Sequence, residues 1–299
     1  MSTIKKVTIA GASGSLGTKV LEKLIAAGKF NIRVLSRKGS ATTFPSGVEV
    51  AHVDYSSYQS LKAALQGQDA IISTLSTLSI GNQLLLIDAA IDAGVQRIIP
   101  SEFGSNLDNP NTRTLPVFAE KVKVQDYIIE KSKHANFTYT LIYNGAFLDW
   151  GLEKDFLLRL SSSAPTIVEG GDNPFSATTT TSIADAVVGI LDHLKETANR
   201  TVFIRDIVTT QNQLLGLARK VAPSRVWSPE YVKLNDLTNA ADARLAKGLY
   251  DTETFVPYLF RAVLDPAYGG NFPKTDNELL GVKEKTDEDI IEILKPLLE

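Results

Sequence analysis

Cysteine is missing from all 299 residues. That excludes disulfides, thiolate metal sites and a cysteine nucleophile, and it fits a reducing compartment. Histidine is scarce: His52, His134 and His193 lie far apart, without the short His/Asp/Glu spacing of a metal site. No metal is expected. Positive charge is not in surplus either. The 31 Lys and Arg stand against 34 Asp and Glu, for a net charge of −3, so nothing favours binding of a nucleic acid backbone. No apolar run reaches membrane length, and "MSTIKKVTIAG" enters a strand without a signal-peptide pattern. The expectation is a soluble, cytoplasmic protein with no nucleic acid and no membrane partner.

What is present is ordinary globular material, 43% apolar and 22% charged. The first half alternates strand and helix with little spare loop. Strands are expected at 5–11, 31–37, 48–54, 69–76, 97–103 and 137–147. Helices are expected at 18–27, 60–67, 82–95 and 117–133. Such alternation implies α/β architecture, a doubly wound parallel sheet (Rossmann type) with helices on both faces. Beyond about residue 150 the pattern loosens into a helix at 151–160, a Gly/Pro/Thr-rich stretch, a helix at 182–196 and a further strand of the main sheet at 201–207. "ATTTTS" (177–182) reads as a strand entering a helix capped at Ser182. Residues 1–150 are read as a dinucleotide-binding domain. Residues 151–299 are read mainly as a smaller interleaved α+β substrate domain, with returns to the first near 182–207.

"GASGSLG" places Gly11, Gly14 and Gly17 between the first strand and the first helix. A dinucleotide pyrophosphate needs glycine there, where the backbone turns sharply and offers free N–H groups at a helix start. Gly11, Ser13, Gly14, Ser15, Leu16 and Gly17 are therefore candidate cofactor contacts. At the end of the second strand, a site for NAD usually carries an acidic residue. This chain has Ser36, Arg37 and Lys38 instead, and a guanidinium fork suits a 2′-phosphate. The expected cofactor is NADP(H), held by Arg37 and Lys38.

In "VFAEKVKVQDYIIEKSK" (117–133), successive helix residues are about 100° apart. Lys123 then shares a polar side with Glu120, Asp126, Tyr127 and Glu130, whereas Lys121 falls on the apolar side with Val117, Phe118, Val124 and Ile128. Burial and the positive end of the helix dipole both lower the pKa of a lysine, as general acid/base work requires. Lys121 is the catalytic candidate. A Tyr-x-x-x-Lys pair, Tyr127 with Lys131, lies two turns further down on the polar side and reads as surface.

"RIIPSEFG" (97–104), the helix bearing Lys-x-Lys-Val at 121–124, and "YTLIYNGAF" (139–147) together resemble the isoflavone reductase and phenylcoumaran benzylic ether reductase group. That group belongs to the atypical short-chain dehydrogenases, with the fungal NmrA-like proteins. The resemblance spans roughly residues 5 to 195 and is densest from 97 to 147. It implies Lys121 as acid/base, also in contact with the cofactor, Arg37 at the 2′-phosphate, and Ser73, Thr74 and Leu75 beneath the nicotinamide. Gln83 and Asn144 fall at cofactor or active-site positions. The family's second phosphate-binding lysine, several residues beyond the arginine, is lacking; only the adjacent Lys38 is near. Residues 105–116 correspond to the variable substrate-facing loop, and the C-terminal third resembles the group only in outline.

The resemblance implies hydride transfer from NADPH to a conjugated carbon or quinone-methide-like centre of a small aromatic substrate, which Phe103, Phe147 and Trp150 would line. A homodimer is an open expectation. The alternative reading is an NmrA-like dinucleotide sensor that regulates a protein partner without turnover. A third, epimerase-like reading requires a well-placed Tyr-x-x-x-Lys pair.

Overall fold

The computed structural model describes residues 3 to 298. Its first half runs through β1 (Lys6–Ala10), α1 (Ser15–Ala26), β2 (Asn31–Arg37), β3 (Glu49–Val53), α2 (Tyr58–Leu65) and β4 (Ala70–Ser73). It continues with α3 (Gln83–Asp92), β5 (Arg97–Ile99), the short α4 (Pro110–Arg113), α5 (Ala119–Ser132) and β6 (Thr138–Tyr143). The second half holds β7 (Ala146–Phe147), α6 (Leu148–Glu153), β8 (Thr166–Val168), β9 (Phe175–Thr178), α7 (Thr180–Asp192) and β10 (Arg200–Phe203). Then come β11 (Ile207–Thr209), α8 (Gln211–Val221), β12 (Glu230–Val232), α9 (Leu234–Leu245), α10 (Thr252–Leu264), α11 (Asn277–Leu280) and α12 (Asp287–Leu298).

Seven strands form one sheet in the order β10-β6-β5-β4-β1-β2-β3, with every neighbouring pair parallel. The fold is α/β and doubly wound. Because side chains alternate across a strand, consecutive residues serve opposite cores. Ile72, Ile99 and Ile142 pack with Val20 and Leu24 of α1 and Val187 of α7. Ile71, Ile98 and Leu141 pack with Leu61 of α2, Leu86 of α3 and Ile128 of α5. A strand buried on both faces must be apolar at nearly every position, as "AIIS" and "RII" are. The chain leaves β1 toward β2 on one side and crosses to β4 on the other. A crevice therefore opens beyond the C-terminal ends of β1 and β4, where doubly wound sheets bind ligands.

The remaining strands make a three-stranded sheet, β11-β9-β7, and a two-stranded one, β12-β8. They enclose a separate apolar cluster that includes Leu152, Phe175, Leu214 and Leu294. No helix among the described residues is long and apolar enough to cross a membrane.

Several elements differ from expectation. The stretch 137–147 is not one strand: Gly145 adopts φ +64, and a Cβ there would lie 2.2 Å from the Ser176 carbonyl oxygen. That break separates β6 from β7. The helix expected at 151–160 runs only from 148 to 153. Asp155 takes φ +59, and its carboxylate accepts from the amide and hydroxyl of Ser161, which folds the chain into a loop. Helix α7 is capped by Thr179, not Ser182; the Thr179 side chain accepts from the Ser182 amide. The final expected strand of the main sheet is β10, ending at Phe203 beside β6.

Candidate active site

Helix α1 opens at Gly14, extended at φ −80 and ψ 169, with no side-chain cap and no acidic residue in the first turn. Its leading N–H groups and dipole face the crevice uncompensated, as an anion site requires. The three glycines serve different ends. Gly11 has φ +88, and a Cβ there would sit 2.7 Å from the Thr74 carbonyl oxygen. A Cβ on Gly17 would lie 2.1 Å from the Gly11 carbonyl oxygen. Both are required by the fold. Gly14 is exposed, and its Cβ would meet only the Gly11 carbonyl oxygen, at 3.4 Å. Glycine at 14 thus leaves room for something the chain does not itself supply. Ser13 and Ser15 flank it, exposed, while the Leu16 side chain is buried in the core.

Thr74 ties the end of β4 to that of β1, its amide and hydroxyl both donating to the Ala10 carbonyl, at 2.8 and 3.1 Å. Leu75 accepts from the Ser101 hydroxyl through its carbonyl, at 2.8 Å. At the end of β2, Arg37 and Lys38 are both exposed. Among the described residues, the Arg37 side chain has no ion pair or hydrogen bond to the protein. The Lys38 side chain likewise has none; its charge bears weakly on Asp54, whose carboxyl Ser56 chiefly holds below its usual range, as the Arg37 charge bears on Tyr55.

Lys121 stands in the third position of α5, which follows the Pro116–Phe118 turn. Its Nζ donates to the Glu102 carbonyl oxygen and, at 3.2 Å, to that of Phe103. Gly104, at φ +146, comes so close that a Cβ there would lie 3.8 Å from Nζ. Burial pulls the Lys121 pKa below the usual lysine range, and attraction to Glu102 opposes that shift.

Among the described residues, several buried polar atoms at this end of the sheet lack partners: Ser73 Oγ, Gln83 Nε2, both Glu102 carboxyl oxygens and Asn144 Oδ1. Gln83 is held by accepting from the Ser101 amide at 2.7 Å. Asn144 is fully buried and donates to the Gly145 carbonyl at 3.0 Å. Ser73, Glu102 and Asn144 end or follow β4, β5 and β6, and Gln83 begins α3. They gather at the C-terminal edge of the sheet. Buried groups left this way are costly unless a ligand or water completes them.

Two of the three aromatic candidates share one cluster and the third lies outside it. Phe103 and Phe147 pack with the core beneath α1 and α7. Trp150 is exposed on α6, its ring 6.5 Å from that of Phe156. Tyr127 and Lys131 are engaged elsewhere: the tyrosine hydroxyl donates to Asp88 at 2.6 Å, and the lysine pairs with the same carboxylate at 2.9 Å. The pair clasps α5 to α3, so it is not bare surface. Glu102 escaped the sequence reading, although a glutamate within "RIIPSEF" is an acid in an apolar setting. Gln125 and Tyr143, hydrogen-bonded to each other at 2.7 Å, were likewise missed.

Comparison with known proteins identifies the family and the fold. Residues 3–255 match the NmrA-like family. Oxidoreductase aprR of Aspergillus flavus is 34% identical over 298 residues, covering 97% of this chain and 99% of that one. A crystal structure of isoflavone reductase superposes with a TM-score of 0.78 at 21% identity, covering 97% of this chain and 99% of its own. AtPrR2 with NADP+ and (+)pinoresinol superposes at 0.79 and 21%, covering both chains fully. At such identity the two structures speak for the fold alone. The extent of the family match, together with a relative above 30% identity along nearly its whole length, makes this chain a member of the NmrA-like family.

Proposed function

We propose that the protein is an NADPH-dependent oxidoreductase that reduces a conjugated or quinone-methide-like aromatic small molecule, with Lys121 as general acid/base. The observation that carries this reading is the Lys121 amine, drawn onto two carbonyls at the end of β5 among unpartnered polar atoms. A lysine with no carboxylate in hydrogen-bond contact among the described residues, whose pKa burial lowers, gives up its proton more readily than an ordinary lysine.

The residues present suit a dinucleotide phosphate. The Gly11–Gly17 loop and the start of α1 would hold the pyrophosphate, and Arg37 the 2′-phosphate. Ser73, Gln83 and Asn144 would complete their open hydrogen bonds on the nicotinamide end. When bound, NADPH supplies the hydride. The chain's part is to orient the substrate, shield it from water, and protonate at Lys121 Nζ the oxygen that gains charge at the far end of the conjugated system. Support also comes from a relative's own name: aprR is called an oxidoreductase.

The test compares wild type with Lys121→Ala, by calorimetry with NADPH and NADH and by NADPH oxidation against conjugated aromatic ketones and quinone methides. The expected outcome is a preference for NADPH, and turnover that disappears in the variant while binding persists. Full turnover by Lys121→Ala refutes the assignment. Equal binding by both proteins, with no turnover on any acceptor, favours a dinucleotide-sensing regulator.

A further inference from the structure

Glu102 has the burial of a core residue and the chemistry of an acid. It is 1% exposed, and neither carboxyl oxygen has a hydrogen-bond partner among the described residues. Four ionisable side chains bear on it. Lys121 from α5 and Arg113 from α4 favour its charge, Asp108 in the preceding loop opposes it, and Tyr143 at the end of β6 feels it in turn. Two of these are engaged elsewhere: the Arg113 guanidinium bonds Gln125 and Asp126, and the Tyr143 hydroxyl donates to Asp108 at 3.2 Å. Lys121 is different. Its amine bonds the main-chain oxygen of Glu102 itself, so the buried acid and the partly buried base meet at one backbone carbonyl although they lie 19 residues apart.

A buried carboxylate without donors is unstable relative to its neutral acid, unless a nearby cation balances it. Burial, the largest influence, raises the Glu102 pKa to about 7, against the opposing pull of Lys121. Burial thus pushes the two groups toward each other, the acid's pKa rising and the amine's falling.

We propose that Glu102 is the proton partner of Lys121, holding the proton that restores Lys121 after the lysine has protonated substrate. This rests on the reductive reading above. The substrate gains a hydride at carbon, and the displaced electron pair of its conjugated system moves to oxygen. That oxygen takes a proton from Lys121 Nζ. The neutral amine, which contacts the main-chain oxygen of Glu102 and not its carboxyl, takes one from that carboxyl through a bridging water, leaving carboxylate. A proton from water then restores the acid. The net uptake is one hydride and one proton. Glu102 acts through Lys121 and is a positioning residue.

The test needs no bound cofactor. Protein labelled with 13C at lysine Cε is titrated by NMR, with the Lys121 signal assigned by its loss in Lys121→Met. In wild type the signal is expected to move in two steps, the lower one following Glu102. In Glu102→Gln the lower step vanishes, and the Lys121 pKa falls by about 1 unit or more, because an opposite charge has been removed. In turnover assays, kcat of the variant loses its dependence on a group titrating near pH 7 while KM holds. If Glu102→Gln fails to fold, Glu102→Met, an apolar side chain of similar length, carries the same titration. A Lys121 titration unchanged in either folded variant overturns the proposal. Coupled titration in a wild type that turns over no acceptor removes the reductase reading and leaves the proton coupling standing. Turnover without coupling does the reverse.

Discussion

Alanine at two glycines of one loop should separate folding from binding. In Gly17→Ala the new methyl would lie 2.1 Å from the Gly11 carbonyl oxygen, 2.7 Å from Thr74 Oγ1 and 2.9 Å from Ala12 Cα. Two of those atoms are backbone and cannot rotate away, and the shortest distance is more than 1 Å inside an ordinary contact of about 3.5 Å. Overpacking of this kind costs about 1–3 kcal/mol. In Gly14→Ala the methyl meets one oxygen at 3.4 Å, and φ of −80 suits alanine. A small loss at the cap and a small gain from a stiffer unfolded chain should leave stability within about 1 kcal/mol of wild type. The same methyl stands where a pyrophosphate would approach. Losing one charge-assisted N–H contact is worth about 1.5–3 kcal/mol, or roughly 10- to 100-fold in Kd. Urea unfolding without cofactor and NADPH calorimetry measure the two effects separately. The reasoning fails if Gly14→Ala is as destabilised as Gly17→Ala, or if it binds NADPH like wild type.

Arg37→Ala should weaken NADPH by about tenfold or more while leaving NADH unchanged, since only the 2′-phosphate loses its fork of donors; equal losses for both would argue against the assignment. Tyr127→Phe removes one hydrogen bond to Asp88 and should cost about 1 kcal/mol in urea unfolding without affecting turnover. A collapse of kcat would bring the Tyr-x-x-x-Lys pair back as catalyst. Stability should also depend on pH through Glu102, whose carboxyl burial pushes up to about 7 from an ordinary 4.5. Between those values the native state holds a proton that the unfolded chain has released, so this contribution falls as pH rises and is lost above about 7. Urea midpoints at pH 5 and pH 8 measure that loss, and Glu102→Gln should flatten it; an identical slope in both proteins would show the carboxyl to be ordinary.

Much of the site lay within reach of local pattern. The glycine loop could be read because a strand, a sharp turn and a helix start follow one another within a few residues, and β2 with its terminal Arg37 matched residue for residue. Lys121 stood out because helical periodicity alone put a charge on an apolar face. Glu102 did not stand out, since no period applies to the irregular segment after β5 and its burial depends on elements remote in sequence. The clasp from Tyr127 and Lys131 to Asp88 was hidden for the same reason: the partner lies 39 residues away from the tyrosine.

The sequence by itself determined the alternation of strand and helix and the doubly wound class, because these follow from periodicity and backbone freedom over short stretches. Only the tertiary structure decided where β6 breaks, which residue caps α7, and which polar atoms end up buried without a partner. Each of those depends on a second segment, such as the Ser176 carbonyl against Gly145 or the Asp206 carboxylate on Thr179. Contacts of that kind exist only once the chain has closed on itself, which is why the lysine was legible and the acid beside it was not.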